Sequence, residues 1–228
     1  RERTHELVVE ILRRGSMTPM AHLTCGGHRR DELVEILERY AAAGIDNVLA
    51  LRGDPPSDLD ASAGELRNAR DLVELAREVG SFSIGVAAHP EGHPGSPDLS
   101  SDRRHLAEKL RLADFAITQF FFRLDDYLRL VDSLERLGVD KPVVPGIMPV
   151  TNLAQVERFA QMSGSALPAA LVERLSAAAG DPAEVRRVGV GIATELCAAL
   201  LDAGAPGLHF YTLNRSTATQ EIHARLGL

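Results

Sequence analysis

The strongest constraint on the fold of this chain is a repeat. Short apolar runs alternate with amphipathic helical patterns from one end to the other. The runs are Met20–Cys25, Asn47–Arg52, Phe82–Ala88, Phe115–Phe121, Val143–Met148 and Gly207–Thr212, and their starts are separated by 27, 35, 33, 28 and 64 residues. The first four intervals each fit one strand–helix unit. The fifth also holds two additional helical segments, over 153–162 and 168–178. Several runs are apolar almost throughout instead of alternating, as parallel strands covered on both faces require. Between them Leu33, Ile36, Leu37, Tyr40 and Ala41 make one helical stripe. Leu72, Leu75, Ala76 and Val79 make a second, and Leu128, Val131, Leu134 and Leu137 a third.

The joints support this reading. Gly44, Gly80, Gly138 and Gly204 each follow a helical stripe and precede a strand, where a left-handed C-cap suits glycine. Asp181, Pro182 and Glu184 supply an N-cap, a first-turn proline and a capping-box partner for the helix carrying Val185, Val188, Ile192, Leu196 and Leu200. Repeated βα units leave two architectures, a (β/α)8 TIM barrel or an open, doubly wound parallel sheet. No Gly-x-Gly-x-x-Gly follows a strand, which weakens the dinucleotide-fold version of the open sheet. Polar residues gather at strand C-terminal ends, as at a barrel mouth. The expectation is an α/β protein, a single (β/α)8 barrel catalytic domain over residues 1–228. Six of the eight strands lie in these residues; the chain opens on a helical pattern (Glu6, Leu7, Val8, Ile11, Leu12), so the first two strands are expected to lie outside them.

Composition excludes several functions. Twenty-five basic against 32 acidic residues give a net charge of −7, unsuited to a nucleic-acid or acidic membrane surface. Two cysteines cannot staple a chain of this size, and no apolar stretch approaches the roughly 18 residues of a membrane span. The expected location is the cytoplasm, with no nucleic-acid or membrane partner.

Several clusters carry chemistry. Arg52, Gly53 and Asp54 close the second strand, where a cation suits a phosphate or carboxylate and glycine permits close approach; an ordinary strand-end turn explains the same residues. His89, Glu91 and His93 share the loop after the third strand. The spacing admits a metal, but the prolines and the lack of a neighbouring cysteine favour a cofactor-lining or plain surface loop. Asp102, His105 and Lys109 fall on one helical face, fitting either a solvated surface or a ribose-and-phosphate contact. Gln119, inside the aromatic run to Phe122, must join a satisfied polar layer or face a heterocycle, since an unpaired buried amide is costly. Tyr211, Asn214 and Arg215 suit a negatively charged aromatic ligand. Nothing beside Cys25 prepares a thiolate.

Six motifs, in order, resemble the bacterial MetF-type 5,10-methylenetetrahydrofolate reductase family. They are His22-Leu-Thr-Cys25, Leu51-Arg-Gly-Asp54, Ala88-His-Pro-Glu91, Ile117-Thr-Gln-Phe-Phe-Phe122, Pro145-Gly-Ile-Met-Pro-Val150 and Phe210-Tyr-Thr-Leu-Asn-Arg215. The resemblance implies a barrel that carries FAD and reduces 5,10-methylenetetrahydrofolate to 5-methyltetrahydrofolate with NADH or NADPH. It also implies a homodimer or homotetramer, and no metal. It assigns His22, Arg52, Gly53, Asp54, Asn68, Ala69, His89, His93, Asp102, His105 and Lys109 to the cofactor. Asp54, Gln119, Leu153, Tyr211 and Arg215 fall to the substrate, with Asp54 and Gln119 catalytic.

The chain departs from the family pattern in four ways. The family's first-strand glutamate acid and second-strand threonine are not among these residues. His89 stands where an aromatic Tyr is usual, and Asn68-Ala69 where a Tyr-Ala pair is usual. His105 replaces a common Asn, and the turn Leu112-Ala113-Asp114 is one residue shorter. Lost tyrosines imply weaker flavin binding. Two alternatives stand beside the flavin enzyme: direct hydride transfer from NADH to the folate, and an inactive folate- or flavin-binding paralogue. A Schiff-base aldolase or transferase is disfavoured, because neither lysine, Lys109 or Lys141, lies at a strand end.

Overall fold

The computed structural model describes residues 2–53 and 64–228. Six strands form one sheet: β1 (Ala21–Thr24), β2 (Asn47–Leu51), β3 (Ser83–Ala88), β4 (Phe115–Phe120), β5 (Val143–Ile147) and β6 (His209–Phe210). Nine helices accompany them among the described residues: α1 (Glu2–Arg14), α2 (Arg30–Ala42), α3 (Ala69–Val79), α4 (Leu99–Leu112), α5 (Leu124–Arg136), α6 (Leu153–Ser163), α7 (Ala169–Ser176), α8 (Pro182–Asp202) and α9 (Thr217–Leu226). The strand order is β1-β2-β3-β4-β5-β6, and the sheet is parallel. Consecutive order leaves no switch point, which separates this α/β fold from a doubly wound sheet and is consistent with a partial (β/α)8 barrel. Among the described residues β6 does not pair with β1, so the sheet is not closed. No described helix is long and apolar enough to cross a membrane.

The chain divides into two compact units, residues 1–87 with 106–116, and residues 88–105 with 117–228. In the first, β1 pairs with β2 from Ala21↔Val48 to Thr24↔Leu51, and β2 with β3 from Asn47↔Ser83 to Ala50↔Val86. Ala21, Leu23, Val48, Ala50, Ile84 and Val86 are buried, together with Leu33, Leu37, Leu72, Leu75 and Leu110 from the helices. Gly85 makes room for an aromatic neighbour, since a Cβ there would stand 2.6 Å from the Phe115 ring. Arg77 binds the helix–strand joints: it donates to Leu112 O at 3.0 Å, to Phe82 O at 2.6 Å and to Asp114 Oδ2 at 2.7 Å. Asp114 Oδ2 also accepts the Ile84 N–H at 2.7 Å. The short turn Leu112-Ala113-Asp114 is thus held by one guanidinium and one carboxylate.

In the second unit Gly146↔His209 and Ile147↔Phe210 set the β5–β6 register. The core gathers Phe120, Met148, Val150, Val156, Leu171, Leu175 and Val185, with Phe122, Leu153 and Tyr211 packed against it. The aromatic run alternates as a strand should. Phe120 and Phe122 meet edge to face at 5.8 Å, while Phe121 stacks on Tyr127 at 6.1 Å. Helix α8 approaches the backbone after β5 through Gly189, where a Cβ would lie 1.7 Å from Val150 O.

Three expectations about the joints need correction. Gly44, Gly138 and Gly204 are left-handed (φ 77°, 71° and 86°), but Gly80 is extended at φ −169°. The chain there runs straight from α3 toward β3, and a Cβ at position 80 would sit 3.0 Å from the Phe82 ring. Asp181 caps α8 by accepting the Ala183 N–H at 2.8 Å, but Glu184 pairs with Arg187 at 2.7 Å and closes no capping box. The sixth strand spans only two residues. Tyr211 N–H still donates to Ile147 O at 2.8 Å, after which Leu213 and Asn214 turn left-handed (φ 50° and 62°) and end the ladder.

Candidate functional site

In the first unit, the strand period places His22 and Thr24 opposite the buried Ala21 and Leu23. His22 is exposed, yet surrounding protein strips enough water from the imidazole to hold its pKa below the ordinary value, so the ring is neutral at pH 7. Arg52 is exposed just beyond β2. Its carbonyl accepts the Gly26 N–H at 2.8 Å and the Cys25 thiol at 3.6 Å. Burial pushes that thiol upward in pKa, consistent with the expectation that it is no nucleophile. Gly53 is left-handed at φ 78°, and a Cβ there would stand 2.9 Å from Thr24 Cβ. The close approach that glycine permits at this position is thus to the neighbouring strand end. Asp54 lies outside the described residues.

Asn68 has a local task. Its Oδ1 accepts the Arg70 and Asp71 N–H groups at 2.8 and 3.2 Å, and Asp71 Oδ2 accepts the Asn68 N–H at 3.3 Å, a reciprocal capping box at the start of α3. Ala69 is the first residue of that helix. Asn68 therefore anchors the start of α3. Lys109, half-buried on α4, donates Nζ to Ala87 O at 2.8 Å near the end of β3.

The second unit holds the loop that follows β3. His89 and His93 meet edge to face with centroids 4.7 Å apart. Gly92 between them is left-handed at φ 95°. His93 Nδ1 accepts the Gly95 N–H at 2.9 Å. Asp102 is buried: Oδ1 accepts the His93 N–H at 3.2 Å and the Ser96 hydroxyl at 3.3 Å, and Oδ2 accepts Arg103 Nη1 at 2.8 Å. His105 is exposed. Asp102, His105 and Lys109 share a helical face by spacing, but their surroundings differ: buried, exposed and half-buried. Glu91 reaches across to accept the Ala166 N–H with both oxygens at 3.1 Å. Burial raises its pKa, opposed by that backbone bond and by Arg123 and Arg129, and reinforced by Asp126. Pro94 packs beneath Gly164, where a Cβ would lie 2.7 Å from Pro94 Cγ, and the Ser165 hydroxyl donates to Phe120 O at 3.0 Å.

Gln119 is half-buried near the end of β4, with Oε1 accepting the Phe120 N–H at 3.1 Å. Tyr211, after β6, donates its hydroxyl to Thr118 O at 2.8 Å, and Thr118 Oγ1 accepts the Gly146 N–H at 2.8 Å. Gly146 permits this crowding, since a Cβ there would stand 2.2 Å from Thr118 O and 2.7 Å from the Tyr211 ring. Leu153 opens α6 and packs against the core, and Arg215 is exposed beyond the left-handed turn. No group of three His, Cys, Asp or Glu among the described residues stands close enough to hold a metal ion.

Burial pushes the Tyr211 phenol up to about 12 from its ordinary 10. The unfolded chain releases this proton near 10 while the folded chain keeps it. Stability from the neutral phenol is therefore intact below 10 and lost as the pH rises through about 12. The expected result is a late phase in an alkaline tyrosinate absorbance titration that is missing in Tyr211→Phe; an early, ordinary phase from Tyr211 would contradict its burial.

Sequence reasoning missed Arg103. It lies on the buried register of α4 with Leu106, Ala107 and Leu110, at spacings of three, four and seven, a position where an apolar side chain would be routine. That register is the signal that could have found it. The partnership of Glu91 with Ala166 spans 75 residues, and no local pattern announces it.

Consecutive parallel strands with polar side chains near their C-terminal ends mark an α/β fold consistent with a partial (β/α)8-like barrel. The profile of the family described as methylenetetrahydrofolate reductase matches residues 1–227. The chain is 38% identical over 229 residues to 5,10-methylenetetrahydrofolate reductase of Pectobacterium carotovorum subsp. carotovorum, covering all of this chain and 76% of that protein. It is 39% identical over 230 residues to the Escherichia coli K12 enzyme of the same name, again covering all of this chain and 76% of the relative. Among solved structures, an uncharacterized Clostridium thermocellum protein that binds two copies of 5-methyl-5,6,7,8-tetrahydrofolic acid shares the fold. Its TM-score is 0.60 at 14% identity, over 95% of this chain and 75% of that one. The chain belongs to the methylenetetrahydrofolate reductase family and is an oxidoreductase of that type, in one-carbon metabolism.

Proposed function

We propose that this cytoplasmic enzyme reduces 5,10-methylenetetrahydrofolate to 5-methyltetrahydrofolate with NADH or NADPH, using FAD. The observation that carries the reading is the family match over residues 1–227, with strand-end residues of the family motifs in order. The residues present fit the cofactor in their donor set. Lys109 offers a half-buried ammonium for a phosphate, Gly92 and Gly53 give left-handed backbone free of side chain, and His89 with His93 offers flat apolar faces edged with nitrogen. FAD, when bound, supplies the hydride relay between nicotinamide and folate. His22, Arg52, Gly53, Asp54, His89, His93, Asp102 and Lys109 would hold it.

The chain's own residues then act on the folate. Opening the methylene bridge leaves a cationic iminium at N5. The carboxylate of Asp54 stabilises that charge, and the amide of Gln119 orients the heterocycle, its Oε1 already turned toward the Phe120 N–H. One hydride from the nicotinamide ends on the exocyclic carbon and one proton on N10, giving the methyl product and the oxidised dinucleotide. Leu153, Tyr211 and Arg215 line the folate side, with Arg215 opposite the carboxylate-bearing tail.

The test is the absorbance spectrum of the purified protein, before and after FAD is added, followed by anaerobic addition of NADH and then methylenetetrahydrofolate. Flavin bands bleached by NADH and restored by the folate support the reading. A colourless protein that ignores FAD yet oxidises NADH with the folate replaces it with direct hydride transfer. FAD binding without any bleaching identifies an inactive paralogue.

A further inference from the structure

Arg103 is a charged side chain set in an apolar stripe. It is only 4% exposed, and its neighbour Asp102 only 7%. Adjacent residues on a helix point about 100° apart, so a bonded pair at these positions needs a third element for both to turn toward. That element is the loop after β3. Arg103 donates Nη1 to His89 O at 2.8 Å and Nη2 to Pro90 O at 2.5 Å, while Nη1 also reaches Asp102 Oδ2 at 2.8 Å. Asp102 in turn accepts the His93 N–H. One ion pair therefore grips the loop at 89, 90 and 93, the residues that bracket the left-handed Gly92. The guanidinium fork suits this task because its donors are planar and fixed, whereas an ammonium cannot span two carbonyls and a carboxylate in one plane. Burying a guanidinium is expensive, and Arg103 Nε makes no hydrogen bond while buried. A leucine would fill the stripe more cheaply.

We propose that Arg103 is a positioning residue for ligand binding. It acts through the His89 and Pro90 carbonyls and through Asp102, holding the two imidazoles of His89 and His93 in their edge-to-face arrangement before any ligand arrives. Preorganisation of this kind removes the ordering penalty that a loose loop would add to binding. The ligand it serves is FAD, so this inference rests on the flavin reading above.

The experiment compares the full chain with Arg103→Met and Arg103→Lys. FAD affinity is measured by quenching of flavin fluorescence, and the histidine ring signals are followed by NMR without FAD. Arg103→Met is expected to weaken FAD binding about tenfold or more while leaving turnover at saturating FAD within about twofold, the pattern of lost binding without lost chemistry. The His89 and His93 resonances should move in the ligand-free protein, and Arg103→Lys should recover part of both effects. A folded Arg103→Met with unchanged FAD affinity and unmoved histidine signals overturns the proposal, as does a loss confined to thermal stability. If Arg103→Met does not fold, Arg103→Lys decides by the same two readings. If the wild-type protein binds no FAD, the flavin reading fails by itself, and the NMR comparison alone decides whether Arg103 holds the loop.

Discussion

Gly189→Ala is expected to lower the melting temperature by about 6–12 °C, corresponding to roughly 3 kcal/mol for a chain of this size. The reason is a backbone collision. The new methyl would stand 1.7 Å from Val150 O and 2.7 Å from Val150 C, atoms that cannot rotate away as a side chain can. Helix α8 would have to retreat from the end of β5, widening the small cavity lined by Phe121, Ile147, Met148 and Ile192. The same helix supplies its control. At Gly191 a Cβ would meet only Arg225 Nη1 at 4.0 Å, so Gly191→Ala should be neutral or stabilising by about 0.5–1 kcal/mol through helix propensity. Differential scanning calorimetry of both variants measures the contrast. Equal melting temperatures would show that α8 does not approach Val150 so closely.

Asp54→Asn should lower turnover of methylenetetrahydrofolate about 10²–10³-fold, the scale found when one preorganised electrostatic partner of a developing charge is removed. Asparagine keeps the size and one hydrogen-bonding oxygen of the carboxylate but not its negative charge. The deficit should therefore fall on the folate half-reaction, where the iminium cation forms. In the reduction of flavin by NADH the positive charge forms on the nicotinamide ring and no folate N5 iminium is present, so that half-reaction should change less. Stopped-flow measurement of the two half-reactions separates them. A variant equally slow in both would assign Asp54 to holding the cofactor and would remove it from the chemistry.

Much of the architecture was legible because burial and period are local. Parallel strands such as Ser83–Ala88 read as apolar runs, and the stripes of α2, α3 and α5 repeat every three to four residues. Gly80 misled because a glycine after a helix signals a left-handed turn whether or not the chain uses one; here the crowding by Phe82 asks for the missing side chain. The sixth strand was overestimated because its apolar letters run from Gly207 to Thr212, whereas only His209 and Phe210 hold strand geometry before Leu213 and Asn214 turn. The candidate ligand residues were legible as strand-end polar clusters and by family resemblance. Their internal partners were not. Asn68, read as a cofactor residue standing in for an aromatic one, also caps α3, and Asp102, read as a solvated or ribose-facing carboxylate, also accepts three hydrogen bonds inside the protein. Such partners are chosen by tertiary proximity, which no spacing rule within one helix reveals.

The fastening of Glu91 to Ala166, of Pro94 under Gly164 and of Ser165 to Phe120 O makes a shared fate for three segments distant in sequence. Freeing the loop after β3 strips the Ala166 amide of its acceptor and uncovers Gly164, whereas freeing the α6–α7 link costs both of these contacts and exposes the carbonyl that ends β4 as well. Opening is therefore graded: the free energy of each segment's local opening includes contacts made by its neighbours, and the α6–α7 link, which shares all three, is the last to open.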